Sequence, residues 1–342
     1  MPYTFWTIAG LTILLLLAPT PSPAHSATPG LPVPFLEAPP QIDGELDATL
    51  ANIPAASFAA VKTTSPQCLV VPVHYRLAYG STFLYLYIEV ADEQPIHRDR
   101  GYQNGDGFHM VLAAPRPDDG PSDEFYVLGF AGGEAESASF DRFVWYHDIA
   151  LSFTPLSEVT RFARHSGGGK TGYELLLPWS EIPPYHPWTS SAIGFNLCFV
   201  KAVGTTDKVY HFVHTDDRMQ WEQSPRLYEP LEFLPPVLTG GQQTVLMPDR
   251  GNGKAGETLT ATQVTLAATA MTVPLNVRLL TGDGAAVTTR SEFVCHSGLN
   301  HRRVELPTAS LPAEGIRLLW STHGTAVEGE NALSILPATE PA

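Results

Sequence analysis

Two aromatic residues, Tyr102 and Trp221, are set among polar neighbours and are therefore candidates for contact with a ligand. Tyr102 lies in a stretch punctuated by glycine and aspartate, with Asn104 and Asp106 close to it in the chain. A flat ring beside amide and carboxylate groups suits a ligand that has an apolar face and a rim of hydroxyl groups. The residue types in these stretches thus indicate recognition by stacking and hydrogen bonding.

No spacing of side chains in the sequence identifies a catalytic site. Carboxylates are numerous, but no pair of them is marked as the acid and the nucleophile of glycoside cleavage. The G-x-S-x-G nucleophile elbow, the phosphate-binding P-loop and the H-E-x-x-H zinc motif are all absent from the sequence. We therefore expect a protein that binds its ligand without catalysing a reaction.

Metal binding is left open by three groups of acidic residues. Calcium requires several oxygen ligands that converge from loops, and the EF-hand spacing of such ligands does not occur here. The groups are Asp92-Glu93, Asp118–Glu124 and Asp216-Asp217. No cofactor is assigned from the residues alone, and structural calcium stays open without assigned ligands.

The elements that must hold these residues are predicted to be short β-strands. From Phe83 to Val90, aliphatic residues occupy the even positions and aromatic residues most of the odd ones, which is the period of a strand. Further strands are predicted at 70–78, 107–113, 124–130, 172–177, 192–200 and 208–214, then at 258–268, 272–280, 287–295, 315–320 and 332–336. Short strands between glycine- and proline-rich turns predict an all-β fold of the β-sandwich type.

A change of composition near Leu234 predicts two domains. The first 234 residues contain 13 basic and 26 acidic residues, whereas the remaining 108 contain 7 and 9. Eleven of the 12 tyrosines lie between Tyr75 and Tyr228. We expect a β-sandwich over residues 39–234 that holds any binding site, followed by a smaller immunoglobulin-like β-sandwich over residues 235–342.

The N-terminal residues resemble an export signal. Phe5 to Ala18 is almost wholly apolar, which is too short to span a bilayer comfortably, and small residues follow up to Ser26. We expect a signal peptide over residues 1–26, a linker over 27–38, and a secreted, periplasmic or cell-surface protein, with an uncleaved N-terminal anchor as the alternative. The chain has three cysteines, so it can form at most one internal disulfide. Cys198 lies in an apolar run and is expected to be buried.

The charge balance excludes one class of partner. Lys and Arg total 20 against 35 Asp and Glu, giving a formal net charge of −15, and no long basic stretch occurs. Binding of nucleic acid needs clustered Lys and Arg to neutralise phosphates. We therefore expect no nucleic-acid partner, and no membrane contact beyond the N-terminal segment.

Six short blocks of sequence follow one another between Pro39 and Leu234. They are I-D-G-E-L-D at 42–47, F-L-Y-L-Y-I-E-V-A-D at 83–92, Y-Q-N-G-D-G-F at 102–108, G-Y-E-L and L-P-W between 172 and 179, I-G-F-N at 193–196, and a closing segment from Trp221 to Phe233. In this order the blocks resemble the motifs of family 9 carbohydrate-binding modules. The residues from Pro235 onward show no comparable resemblance.

The resemblance implies a β-sandwich of the jelly-roll or DOMON-like type that binds an oligo- or polysaccharide, often at a chain end, between two aromatic rings. Members often hold structural calcium as well. By motif position the stacking pair is Tyr102 and Trp221, and the implied function is non-catalytic support of polysaccharide breakdown. The resemblance and the residues near Tyr102 give four further candidate contacts with the sugar, which are Asn104, Asp106, His109 and Tyr126.

Two alternative functions come from other classes. Related sandwiches bind b-type haem for electron transfer, and Met110 with Lys201 or His109 offers thioether and nitrogen ligands. This alternative is less favoured, because a methionine on an apolar strand usually belongs to the core and a lysine at a strand end is usually solvated. The third interpretation is a sensor or adhesion ectodomain that binds a protein.

Overall fold

The computed structural model describes residues 31–98, 105–113, 125–131, 143–146, 156–182, 185–190, 193–213, 229–323 and 326–337. Over these ranges the regular structure is almost entirely β-strand, with short 3-10 helices at Ala48–Leu50 and Trp179–Glu181. No α-helix occurs in them. The all-β class predicted from the sequence is therefore confirmed.

In the described part of the first half, thirteen strands form two sheets. One sheet has the order β1-β13-β11-β6-β7-β8, with β12 also pairing to β11 and β3 to β12; the other has the order β2-β4-β5-β10-β9. The strands are β1 (Leu31–Val33), β2 (Ala56–Ser57), β3 (Ala60–Thr63), β4 (Val73–Tyr79), β5 (Phe83–Val90), β6 (Gly107–Ala113), β7 (Phe125–Ala131), β8 (Phe143–Tyr146), β9 (Arg161–Gly167), β10 (Lys170–Pro178), β11 (Gly194–Val203), β12 (Asp207–Phe212) and β13 (Glu229–Phe233).

The two sheets enclose one hydrophobic core, as the sandwich prediction requires. Successive side chains of a strand point to opposite faces, and on β5 the aliphatic residues Leu84, Leu86 and Ile88 enter the core between the sheets. From the opposite sheet, Phe108 of β6 and Phe199 of β11 enter the same core. The aliphatic stripe read from the sequence is thus the inward face of a central strand.

The aromatic face of β5 lies outside this core. Tyr85 and Tyr87 belong to a second buried cluster on the outer face of the five-stranded sheet. The chain before β2 covers them, since Leu46, Leu50 and Ile53 pack in that cluster. These tyrosines therefore join the sheet to the preceding segment and do not fill the space between the sheets.

The second half is a smaller sandwich of eight strands. A three-stranded sheet, β14-β16-β19, faces a five-stranded sheet, β15-β21-β20-β17-β18, in which the short β15 pairs in parallel with the last strand. Leu259 and Leu306 of the first sheet meet Val277, Leu318 and others of the second. The strands are β14 (Gln242–Pro248), β15 (Asn252–Lys254), β16 (Leu259–Ala267), β17 (Met271–Leu280), β18 (Ala286–Cys295), β19 (Gly298–Leu306), β20 (Gly315–Ser321) and β21 (Gly329–Leu336). A second, smaller β-sandwich therefore follows the first.

The two sandwiches pack against each other. In the described part of the chain, each strand ladder joins residues on one side of Leu234 only. Side-chain contacts nevertheless link the two halves, because Val264 and Leu266 of β16 pack in the core cluster of the first sandwich. The Gln243 amide group also donates to the Glu37 carbonyl at 2.8 Å. The packing surface between the halves is thus partly apolar and partly hydrogen-bonded.

The cysteines and the N-terminal segment bear on the predicted location of the protein. Cys68, Cys198 and Cys295 are all free and buried, so Cys198 is buried as expected. Among the residues whose structure is described, no helix is long and apolar enough to cross a membrane. The predicted signal peptide over residues 1–26 lies outside those residues.

Candidate functional site

Three predicted ligand-binding residues, Tyr102, Asn104 and Trp221, lie outside the described residues. Their flanking residues are described and locate the points at which the two segments leave and rejoin the sandwich. Arg98 and Gly105 flank the first segment, and Val213 and Glu229 flank the second. All four flanks lie beside β11 or its hairpin partner, which makes this strand the common support of the candidate site.

Arg98 anchors the start of the Tyr102 segment to the hairpin between β11 and β12. Its guanidinium donates hydrogen bonds to the carbonyl oxygens of Val203 at 2.8 Å, Gly204 at 2.6 Å and Asp207 at 3.1 Å. Hydrogen bonds from a charged donor are stronger than those from a neutral one. The segment therefore leaves from a fixed point at the end of β11.

Asp106 anchors the other end of the same segment. Its carboxylate accepts a hydrogen bond from the Ala202 amide at 2.7 Å and from the Lys201 ammonium at 2.9 Å. The ammonium also contacts the Asp92 carboxylate at 2.9 Å, and the Lys201 and Asp106 side chains are only 4% and 2% exposed. Lys201 thus joins the end of β5 to the start of β6 beneath the predicted ligand-binding segment.

Burial acts on the acidity of both carboxyl groups in this cluster. Burial raises the pKa of Asp106 above its ordinary value, although the Lys201 ammonium and the Ala202 amide oppose that rise. Burial also disfavours ionisation of Asp92, but the hydrogen bonds from Lys201 and the Gln94 amide outweigh it and lower the pKa of Asp92. In this cluster one ammonium contacts two carboxylates.

The cofactors considered from the sequence can be compared with these contacts. Calcium does not fit between Asp92 and Asp106, because the Lys201 ammonium already lies against both carboxylates. No group of three metal-ligating side chains occurs within the described ranges. The acidic groups at 118–124 and 216–217 lie outside the described residues, so calcium there stays a prediction.

Haem does not fit the residues around Met110. Lys201 is engaged by two carboxylates, and Met110 is buried between the sheets. The surrounding space is filled by aromatic rings, with Phe108 stacked on Phe130 at 4.9 Å between centroids and Phe162 packed against Phe108. His109 lies on the opposite face of β6 from Met110, so the two cannot ligate one iron. The described core therefore offers neither a suitable nitrogen ligand nor room for a porphyrin at this position.

The Trp221 segment leaves and rejoins the sandwich further along β11. The Val213 amide donates to the Leu197 carbonyl at 3.0 Å, and Glu229 lies opposite Phe195 in the ladder. Leu197 and Lys201 are four residues apart on one strand, which corresponds to about 13 Å. Segments of several residues that start near Leu197 and Lys201 are long enough to span that distance.

The two remaining predicted contacts are buried, Tyr126 between the sheets and His109 on the outer face of its sheet. Tyr126 of β7 is 3% exposed in the core between the sheets, where its ring packs edge-on against Tyr185. His109 of β6 is also 3% exposed and lies opposite Cys198 of β11, on the other face of the sheet from Met110. Neither side chain presents a surface to a sugar, and Asp106 is occupied by protein groups. Direct sugar contact by these three residues therefore gains no support from their placement.

The opening motif and the G-Y-E motif contact each other, which the sequence alone does not reveal. The buried Glu174 carboxylate accepts hydrogen bonds from the amides of Asp43 and Gly44, both at 3.0 Å, and from the Tyr85 hydroxyl at 2.8 Å. Burial raises the pKa of Glu174, and these three donors oppose the rise. A charged residue inside an apolar strand was the available signal for such a contact.

Glycines are required where these motifs meet. Gly44 has a φ of +87° and its backbone touches β9, so a Cβ there would lie 2.3 Å from the His165 amide nitrogen. A Cβ on Gly172 would lie 2.2 Å from the Gly44 carbonyl oxygen. The glycines of the two motifs therefore allow the backbones to approach closely enough for Glu174 to accept its hydrogen bonds.

Comparisons with known proteins give a distant likeness. No family model and no curated protein matches the chain. A family 9 carbohydrate-binding module from Caldicellulosiruptor kristjanssonii, solved in complex with cellotriose, is 12% identical with a TM-score of 0.44, covering 59% of this chain and 93% of that one. The module in complex with glucose gives the same identity and TM-score and is covered to 95%. A DUF4785 family protein from Legionella pneumophila is 10% identical with a TM-score of 0.21, covering 79% of this chain and 58% of that one. The likeness concerns the fold, and the first two structures belong to the family whose motifs the sequence resembles.

Proposed function

We propose that this chain is an exported, non-catalytic carbohydrate-binding protein that stacks a glycan between Tyr102 and Trp221. The observation that carries the proposal is that the segments bearing these rings are both anchored along β11. Hydrogen bonds at Arg98 and Asp106 hold the ends of one segment, and Val213 and Glu229 hold the ends of the other. Segments that start and end along one strand can bring two flat rings to the two faces of a sugar ring.

The polar residues divide into two roles in this proposal. Asn104 lies beside Tyr102 in the chain and supplies an amide to the hydroxyl rim of the sugar. Asp106 positions the segment, because both of its carboxylate oxygens are bound by β11. His109 and Tyr126 act through the packing of the sheets beneath the site. The protein then serves to hold polysaccharide near degrading enzymes or at the cell surface, after export directed by residues 1–26.

Titration of the protein lacking residues 1–26 with oligosaccharides tests this proposal. Cello-, xylo- and manno-oligosaccharides are added while tryptophan fluorescence and heat of binding are recorded. Because a sugar stacked on an aromatic ring is bound through their contact area, Tyr102→Ala and Trp221→Ala should each weaken binding of the recognised glycan by about tenfold or more. Asn104→Ala should weaken it less, because it removes one hydrogen bond near solvent.

The matched control is Phe293→Ala, which removes an aromatic ring from β18 of the second sandwich, where the ring lies under Arg302. Its glycan affinity should equal that of the unaltered protein. Unaltered affinity in both Tyr102→Ala and Trp221→Ala, with folding intact by circular dichroism, would reject the stacking pair. Failure of every glycan to bind at millimolar concentration would reject the function itself.

A further inference from the structure

A cleft of about 270 Å³ lies between the two sandwiches. The first sandwich contributes Phe83, Leu176 and Trp179 to its lining, and the second contributes Met247 and Trp320. Its lining is mostly apolar and its location between two packed domains is one where small-molecule sites commonly occur. The volume is sufficient for an organic molecule with one six-membered ring.

The walls of the cleft are fixed by specific contacts. The Trp179 indole donates to the Gly80 carbonyl at 3.0 Å, which holds this ring at the end of the five-stranded sheet of the first sandwich. On the opposite side the Trp320 ring lies directly against Gly329, where a Cβ would come within 2.4 Å of the ring. Rotation of either ring into the cleft would break these contacts, so the rings stay in place and the cleft is kept open.

The cleft is lined by one basic residue, Arg161, and by two acidic residues, Glu328 and Glu330. Arg161, the first residue of β9, lines the cleft and has no ion pair among the residues that the structure describes. The acids on the opposite wall are already engaged, since Glu330 binds Arg317 and Glu328 binds Thr322 and His323. Arg161 therefore supplies the one guanidinium of the described lining whose hydrogen-bond donors are available to a ligand.

An exposed apolar side chain extends the same surface to solvent. Val159 lines the cleft two residues before Arg161, and 62% of it is exposed. A branched apolar residue beside an apolar opening continues the surface that an apolar ligand would cover. The apolar lining and the guanidinium thus lie at one opening.

We propose that the cleft binds a small organic acid, with its apolar body between Phe83 and Trp320 and its carboxylate bound by Arg161. A carboxylate matches the planar donor geometry of a guanidinium, and desolvation by the apolar walls strengthens that hydrogen bond. The proposal uses neither Tyr102 nor Trp221, so it stands whether or not the protein binds glycans.

The test uses 3-phenylpropionate and its neutral counterpart 3-phenylpropionamide, which have the same shape apart from the charged group. Binding to the protein lacking residues 1–26 is measured by calorimetry and by quenching of tryptophan fluorescence. The acid should bind more tightly than the amide. Arg161→Met should weaken binding of the acid by about tenfold or more, because a charged hydrogen bond is lost, and should change binding of the amide by no more than about twofold.

Two further variants separate the cleft from the rest of the surface. Arg290→Met removes an exposed arginine of β18 and should leave both affinities unchanged. Ser180→Trp places a large ring at an exposed position of the lining and should abolish binding of both probes while the thermal unfolding temperature is kept. The proposal is overturned if neither probe binds at millimolar concentration, if the acid binds no better than the amide, or if Arg161→Met binds the acid unchanged.

Discussion

The motif residues of this chain are occupied with holding backbone segments together. Glu174 accepts hydrogen bonds from the amides of Asp43 and Gly44, and Asp106 accepts one from Ala202. Each acid is buried, so its loss would leave backbone donors without partners, at a cost of about 1–3 kcal/mol for each donor. Glu174 and Asp106 therefore specify the fold, whereas the proposed sugar contacts come from other residues of the same motifs, Tyr102, Asn104 and Trp221.

His186 is predicted to make folding depend on pH. Its ring is fully buried, donates through Nε2 to the Ser81 carbonyl at 2.8 Å and accepts the Trp188 amide at Nδ1 at 3.0 Å. Burial lowers the pKa of His186 to about 4, below its ordinary 6.5. As the pH falls, the His186 side chain is protonated in the unfolded chain before it is protonated in the folded protein. Its contribution to the free energy of unfolding is therefore complete above pH 6.5 and falls as the pH drops towards 4, by about 3 kcal/mol at most.

Urea unfolding at pH 7.5, 6, 5 and 4 measures this dependence. His186→Gln keeps a donor and an acceptor but cannot be protonated, so its free energy of unfolding should fall less over this range than that of the unaltered protein. His165→Gln is the control, because His165 is half exposed beside Glu45. Equal losses in the unaltered protein and in His186→Gln would contradict the prediction.

At the scale of elements, Lys201 is predicted to control both stability and ligand affinity. Lys201→Met leaves the Asp92 and Asp106 carboxylates without their ammonium at the joint between β5, β6 and β11. Removal of one partner from a buried ion pair costs about 3–5 kcal/mol, which urea unfolding would detect. Because the same cluster anchors the Tyr102 segment, glycan affinity should fall as well, at a temperature where the variant is still folded.

The double variant Lys201→Met/Asp106→Asn should recover part of this loss. It removes the charges of Lys201 and Asp106 and leaves only the partly exposed Asp92 carboxylate. The amide oxygen introduced at position 106 still accepts the hydrogen bond from Ala202. Lys170→Met is the matched control, since Lys170 forms an exposed ion pair with Glu89 at 2.7 Å and its loss should cost no more than about 1 kcal/mol. Equal effects of Lys201→Met and Lys170→Met would show that the buried cluster has no special role.

Most central strands and the edge strand β18 were predictable from the sequence, whereas the edge strands β9 and β19 were not. The strand predicted at 107–113 is β6 with the same bounds, since continuous apolar residues mark a strand buried on both faces. The polar edge strand β9, R-F-A-R-H-S-G, and the edge strand β19 were not predicted, because their ladders with β10 and β16 stabilise them rather than an apolar pattern. The contact between Asp106 and Lys201 was not predicted either, because the two residues are far apart in the sequence and no local pattern links them.

At the scale of the whole molecule, β16 belongs to two cores. Leu259 and Ala261 point into the second sandwich, while Val264 and Leu266 lie in the core cluster of the first. Gln243 adds a hydrogen bond to the Glu37 carbonyl at 2.8 Å across the same surface. The two halves divided by composition at Leu234 are therefore joined in one packed unit, and the cleft lies along this joint.

Disruption of that joint is predicted to uncouple the two halves. Val264 is fully buried, so Val264→Asp places an unpaired charge between the sandwiches and opposes their contact. The unaltered protein should unfold in one calorimetric transition, whereas Val264→Asp should show two, the lower one shifted downward. Thr272→Asp, at an exposed position of β17 in the second sandwich, is the control and should keep one transition. A single unshifted transition in Val264→Asp would show that Val264 does not hold the halves together, and two transitions in the unaltered protein would show that the halves fold independently. Binding of 3-phenylpropionate provides the second measurement, because a cleft that needs both walls should lose this ligand in Val264→Asp and keep it in Thr272→Asp.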